Sequence, residues 1–271
     1  MQLNESPPNR EARSGGRRPS ENGLGMTRDQ KRARVFGVLY LITFVTSIPA
    51  LVLYETVLRH PVSYIAGAGH DKQVLFGALL ELLLIIANIG TAVVIFPIVR
   101  RVSEELALGY VTARLFECTF ILLGIVSMLG IITLHQQVAG AAEGTAAYTL
   151  AAIKDWTFLL GPGWVVGWGN GLILGYLMYK SELVPRQWCW LGLIGGPLII
   201  ITGTAILFTG NDPSNSLHSL QAILTIPEFA WQLFLGVYCT IWGFKRESPI
   251  LSGTAPELSG SQAVVVAGSP A

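Results

Sequence analysis

Hydrophobic positions along this chain do not alternate with polar ones. They run together in six long stretches between Val35 and Phe244, interrupted by few ionisable residues. A bilayer core needs about 20 apolar residues per helix. Segments at about 35–57, 74–99, 110–134, 156–179, 188–209 and 219–244 reach that length. Runs of this kind exclude a transmembrane barrel, whose strands would alternate over roughly 10 residues. A helix pairs its own backbone groups inside lipid. The pattern therefore predicts an all-α fold, a polytopic transmembrane helical bundle of six spans.

Composition agrees and sets the domain plan. Hydrophobic residues make up 51% and charged residues 13%, the latter about half the share of an ordinary soluble domain. Residues 1–30, with Pro7, Pro8, Gly15, Gly16 and clustered arginines, lack apolar periodicity and read as a disordered basic segment. Residues 31–246 form the six-span domain, and 247–271 read as a disordered tail. A secretory signal would start its apolar core nearer Met1, so the first span reads as a retained anchor. Nothing in the basic leader resembles a nucleic-acid module, and its simplest role is to set topology.

Basic residues set the expected orientation. Eight precede the first span (Arg10, Arg13, Arg17, Arg18, Arg28, Lys31, Arg32, Arg34), and Arg100, Arg101, Lys180, Arg186, Lys245 and Arg246 fall on the same side. The other side receives Arg59, Lys72 and Lys154, and Arg114 lies within a span. The positive-inside rule then places both termini in the cytoplasm, in keeping with an even number of spans.

The residues that break the apolar runs are the candidates for chemistry. Glu81, Asn88, Arg114, Glu117, Asn170 and Glu228 all lie inside spans. A charged side chain at a helix centre costs about 2.5–3.5 kcal/mol on insertion scales, so each calls for a partner. Glu81 and Glu228 fall at similar depth in the outer half, where they could share a proton or a cation. Arg114 and Glu117 are three residues apart and so share a helix face. They predict a local ion pair near the cytoplasmic interface, with Arg114 snorkelling outward and Asn170 within bonding reach of the pair. These groups read either as a proton or ion relay or as interhelical hydrogen bonds that hold the bundle.

Glycines make a second pattern. Gly163, Gly167, Gly171 and Gly175 repeat every four residues in the fourth span, with Gly192 and Gly196 following in the fifth. Small residues at this spacing let helices approach closely, and close packing is the favoured reading over a solute-lining face. The histidines give a weaker pattern. His60, His70, His135 and His218 all fall on the outer side, near Glu55, Asp71, Asp155 and Asp212. His60, His135 and His218 would be the core of an outward metal site, yet no paired ligand spacing on one helix accompanies them. Cys118, Cys189 and Cys239 are odd in number and in spans, which argues against a disulfide framework. No cofactor is expected.

Four segments together carry a family resemblance: GLILGYLMYKSELVPRQWCWLGLIGG over Gly171 to Gly196, RARVFGVLYLITFVTSIPA from Arg32, RLFE over Arg114 to Glu117, and IPEFAWQLFLGVYCTIWGFK from Ile226. In order and spacing the chain resembles, over about residues 30–246, the bacterial membrane proteins grouped as domain of unknown function 4386. The resemblance implies a six-helix, multi-pass protein of the bacterial cytoplasmic membrane. It implies no activity. It marks Arg114, Glu117, Tyr176, Pro185, Arg186, Gly192 and Glu228 as recurring positions and leaves the histidine-bearing loops outside the pattern.

Three function classes follow. Carboxylates within spans favour a small-solute or proton-coupled transporter, whose substrate the sequence does not name. The glycine face favours a non-catalytic assembly protein, with a second copy or another membrane protein as partner beside the lipid bilayer. The outer histidines would support an intramembrane metal-dependent enzyme.

Overall fold

A computed structural model describes residues 26–68, 70–137, 141–210 and 216–252. Six helices long and apolar enough to cross a membrane account for most of them: α1 Arg28–Arg59, α2 Asp71–Val99, α3 Glu104–Gln137, α4 Gly144–Ser181, α5 Arg186–Thr209 and α6 Ser216–Ile241. Each packs against the next in chain order, and α6 closes onto α1. The result is a ring of six helices around a shared interior.

The outer surface is apolar. Val45, Ile86, Val93 and Phe208 stand exposed on helix faces that a hydrocarbon phase would cover. This arrangement defines a multi-pass membrane protein. The interior mixes large apolar side chains, including Phe36, Ile95, Leu174 and Leu235, with a set of buried charges and amides.

Both described ends lie at one face. Gln30 Nε2 donates to the carbonyl of Phe244 at 2.6 Å, and the Phe244 amide donates back to Gln30 Oε1 at 3.1 Å. Arg101, in the turn between α2 and α3, reaches Asp29 at 2.8 Å. Some residues of the two segments expected to lack structure have a defined place. Thr27 caps α1, its hydroxyl accepting from the Gln30 amide, and the buried Ser248 hydroxyl donates to the carbonyl of Ser181 at 2.6 Å. The rest of both segments lies outside the described residues.

The turn from α4 to α5 explains part of the KSELVPR sequence. Glu182 adopts φ 55°, an uncommon left-handed conformation for a residue with a side chain. It ends α4, and its carboxylate meets Arg186 at 2.9 Å. Pro185 then stands at the cap of α5, where its missing N–H leaves no helical bond unmade.

Two helices depart from regular α geometry. In α4 the stretches Leu159–Val165 and Gly167–Leu174 are widened into π-helix. Pro162 cannot donate into the ladder there, and the surrounding glycines impose no side-chain register, so the i→i+5 pattern is accessible. In α6 the segments Ser216–Leu224 and Ile226–Ile241 meet at Thr225, two residues before Pro227. Both irregular stretches border the interior cavity described next.

Candidate functional site: a charged cavity inside the ring

The polar side chains of the spans collect into two networks. The first joins α1, α2, α3, α4 and α6. Arg114 Nη1 donates to Glu117 Oε2 at 2.7 Å, and Asn88 Nδ2 donates to Glu117 Oε1 at 3.0 Å. Arg114 Nε donates to the Tyr110 hydroxyl at 3.2 Å. That hydroxyl lies 3.3 Å from Tyr40 Oη, which in turn donates to Asn170 Oδ1 at 3.3 Å. Since Tyr110 already accepts from a guanidinium and Asn170 Oδ1 only accepts, the protons order along one direction, Arg114 to Tyr110 to Tyr40 to Asn170. Trp231 Nε1 completes the set, donating to the Asn170 carbonyl at 3.0 Å.

The expected pairing of Arg114 with Glu117 is present, but not at an interface. Arg114 is 2% exposed and does not snorkel. Its guanidinium lies 5.2 Å from the Tyr40 ring centre and 5.8 Å from that of Tyr110, so aromatic faces supply part of what water would. Asn170 meets the ion pair only through the two tyrosines.

The second network corrects the expected place of Lys154. Hydropathy put this residue in an outer loop, because the fourth apolar run starts near 156. In the structure α4 begins about three turns earlier and carries Lys154 into the interior. Its Nζ donates to Glu81 Oε1 at 2.6 Å, while Tyr54 Oη donates to Glu81 Oε2 at 3.1 Å. Gly124 of α3 makes the room: a Cβ there would stand 2.8 Å from Lys154 Cδ and 2.9 Å from Thr157 Oγ1.

Between the networks lies a cavity of about 220 Å³. Glu81, Asn88, Arg114, Glu117, Glu228 and Gln232 border it, together with Thr43, Ser47, Phe44, Phe158, Pro162 and Phe229. Five of the six in-span candidates thus meet one space, and Asn170 lies fully buried in the network behind it. Glu81 and Glu228 border the same cavity, but Glu81 is already held by Lys154 and Tyr54.

Glu228 is held differently. It is 1% exposed, and its Oε1 accepts from Gln232 at 3.1 Å. Among the described residues no protein group bonds its Oε2, and the same is true of Arg114 Nη2. Buried polar atoms normally have partners.

The glycine pattern lies against α5. A Cβ at Gly171 would come 2.5 Å from Gly196 Cα and 2.9 Å from the Gly192 carbonyl, and one at Gly167 would come 2.7 Å from the Gly196 carbonyl. Gly163 and Gly175, at the two ends, have ordinary clearance of about 3.4–3.5 Å. On α5, Gly195 abuts the backbone of Glu228, with 2.6 Å from its would-be Cβ to the Glu228 nitrogen. Glycine packing therefore sets the position of the Glu228 backbone.

The histidines do not assemble. Among the described residues no three His, Cys, Asp or Glu side chains come together as a metal set, which corrects the expectation for His60, His135 and His218. His135 Nδ1 instead lies 2.9 Å from Asp71 Oδ1, which also accepts from the Tyr64 hydroxyl at 2.6 Å. Burial, with the Asp71 carboxylate alongside, raises the pKa of that hydroxyl. His60 and Asp155 border a separate groove of about 680 Å³ at the face opposite the termini. Asp212 lies outside the described residues. The cysteines are free and buried.

Fold and site together define a class: a six-helix, multi-pass membrane protein with a charged interior cavity. The chain belongs to the family described as Domain of unknown function (DUF4386), whose match covers residues 35–243. Comparison with curated proteins and with solved structures gave no match.

Proposed function

We propose that the protein carries a small solute across the bacterial cytoplasmic membrane, coupled to proton movement through the interior cavity. The single observation that carries this reading is Glu228, a fully buried carboxylate with one unpartnered oxygen, bordering a cavity that also meets Arg114, Glu117 and Glu81. Ionisable groups at membrane depth mark solute and proton paths when they face a cavity, and the irregular helices of carriers occur at such sites. The π-widened α4 and the broken α6 fit that plan. Leu51 borders both this cavity and the groove at the opposite face.

The assembly reading has less support. It relied on a free glycine face, and Gly167 and Gly171 are covered by α5 of the same chain.

Orientation follows from charge. With Lys154 inside α4, the face opposite the termini keeps only Arg59 and Lys72 among the basic residues read as outer, which strengthens the inference of cytoplasmic termini.

The test is proton flux in proteoliposomes under an imposed pH gradient with a pH-sensitive dye inside. Wild-type protein is expected to dissipate the gradient faster than empty vesicles, and Glu228→Gln is expected to abolish the difference. Equal rates for wild type and Glu228→Gln would falsify the proton-coupled reading.

A further inference from the structure

We propose that the cavity beside Glu228 binds a small monovalent organic ammonium ion, which replaces a proton on this carboxylate. The inference rests on the transport reading and names its substrate class.

Charge balance is the first argument. Four ionisable side chains border the cavity, Glu81, Arg114, Glu117 and Glu228, and Lys154 meets the first of them from behind. Arg114 is paired with Glu117 at 2.7 Å and Lys154 with Glu81 at 2.6 Å, and the two pairs cancel. Glu228 remains, with Gln232 as a neutral donor on one oxygen. The charged and amide groups that share the cavity with it are Arg114 and Glu117 from α3 and Glu81 and Asn88 from α2, while α1 contributes no polar groups but Thr43 and Ser47 and α5 only the apolar Ile199. An ionised Glu228 therefore gives the site one net negative charge. A buried charge of that kind requires a counter-ion or a proton. An anionic solute would add a second negative charge, and a zwitterion would leave the first unbalanced.

The lining selects among cations. A hard metal ion takes about six oxygen ligands, whereas both oxygens of Glu81 already accept from Lys154 and Tyr54 and both of Glu117 from Arg114 and Asn88. Aromatic rings are better represented. Phe44 and Phe229 meet edge to face at 5.0 Å between centroids, and Phe158 borders the same space. Rings of this kind attract alkylammonium groups, which are weakly hydrated and apolar at their periphery. The volume of about 220 Å³ lies below that of drug-sized pockets, which limits the ligand to a few heavy atoms.

The rim points the same way. Ile48, Leu51 and Phe229 border the cavity and are also 47%, 45% and 44% exposed on the outside of the ring. The cavity thus reaches the apolar surface between α1 and α6, where an amphiphilic cation partitions and a strongly hydrated one does not.

The exchange balances simply. Protonated Glu228 releases its proton to water as the ammonium ion arrives, and the resulting carboxylate is the counter-ion. No covalent bond to the solute forms. One carboxylate cannot hold both cations at once, so the proton and the ammonium ion compete for Glu228.

Isothermal calorimetry on purified protein in lipid nanodiscs, with tetramethylammonium chloride as probe and sodium chloride as control, tests this. Titrations in two buffers of different ionisation enthalpy count the protons. Wild type is expected to bind tetramethylammonium, to release about one proton per ion bound, and to bind more tightly as pH rises. Glu228→Gln is expected to weaken binding about tenfold or more, and Phe229→Leu to weaken it severalfold while keeping the proton count. Absence of binding to wild type, binding without proton release, or equal binding by Glu228→Gln overturns the proposal. Should Glu228→Gln fail to fold, the wild-type proton count and Phe229→Leu decide. Proton flux without ammonium binding overturns this inference alone, and ammonium binding without proton flux overturns only the transport reading.

Discussion

Lys154 Nζ donates to Glu81 Oε1 at 2.6 Å, joining α4 to α2 through side chains only 6% and 10% exposed. The Lys154 ammonium also lies 4.9 Å from the centre of the Tyr54 ring, so α1 shares the contact. Neither charge has water to fall back on. Lys154→Met should leave Glu81 unpaired and destabilise the protein by about 3 kcal/mol or more, whereas Glu81→Gln with Lys154→Met should recover most of the loss. Unfolding in mixed micelles, followed by tryptophan fluorescence, checks this. Losses that simply add in the double variant would show that the two side chains are not coupled.

Gly171 offers a test of the α4–α5 contact. A methyl group there would meet Gly196 Cα, the Gly192 carbonyl and Glu228 Oε2 at once, and two of these are backbone atoms that cannot move aside. Gly171→Ala should cost about 1–3 kcal/mol. Gly109→Ala is the matched control, since its methyl would lie 3.5 Å from Ile173 Cδ1, an ordinary contact. Helix propensity then makes that substitution neutral or stabilising by up to about 1 kcal/mol. Melting temperatures of the two variants should move apart; equal shifts would contradict the packing described.

The tyrosine relay should respond unequally to its two members. Tyr40→Phe removes the donor to Asn170, and interhelical hydrogen bonds in membranes are worth about 0.6 kcal/mol on average. Tyr110→Phe removes the acceptor of a buried guanidinium, leaving Arg114 Nε without a partner beside the already unpartnered Nη2. The second substitution should be the more damaging, by about 1 kcal/mol or more. Thermal unfolding of the single variants gives the order, and a milder effect of Tyr110→Phe would contradict the weight given to the Arg114–Tyr110 bond.

Topology is open to a direct check. Reporter fusions at the two ends, using one enzyme active only in the cytoplasm and one active only outside it, should both read cytoplasmic. Ends on opposite sides would contradict the pairing of Gln30 with Phe244; two external ends would contradict the orientation drawn from charge.

The spans were legible because a bilayer imposes a length that apolar runs either reach or do not. Helix starts were less so. Hydropathy missed three turns of α4 because Lys154 and Asp155 interrupt it, and a lysine is apolar in effect only when its partner is known. Glu81 gave no sign of that partner, 73 positions away in sequence. The in-span acids and amides were legible as candidates through their desolvation cost alone. Their sorting into Glu81, held on both oxygens, and Glu228, held on one, depends on three-dimensional neighbours. Tyr40, Tyr54, Tyr110 and Trp231 were missed because aromatic residues pass as ordinary bilayer filling. A signal existed: Tyr40 and Tyr54 are fourteen residues apart, close to four turns on one face of α1, and Tyr110 stands one turn before Arg114.

Five of the six neighbouring helix pairs are consecutive in the chain. The sixth pair, α1 with α6, has no connecting segment; the Gln30–Phe244 exchange ties it at the terminal face, and Gly37 packs against the Thr240 backbone further along. Phe44 and Phe229 meet along this same junction, beside Glu228. The ring is therefore a split washer: at that junction side-chain packing and hydrogen bonds, not a chain connection, hold it closed.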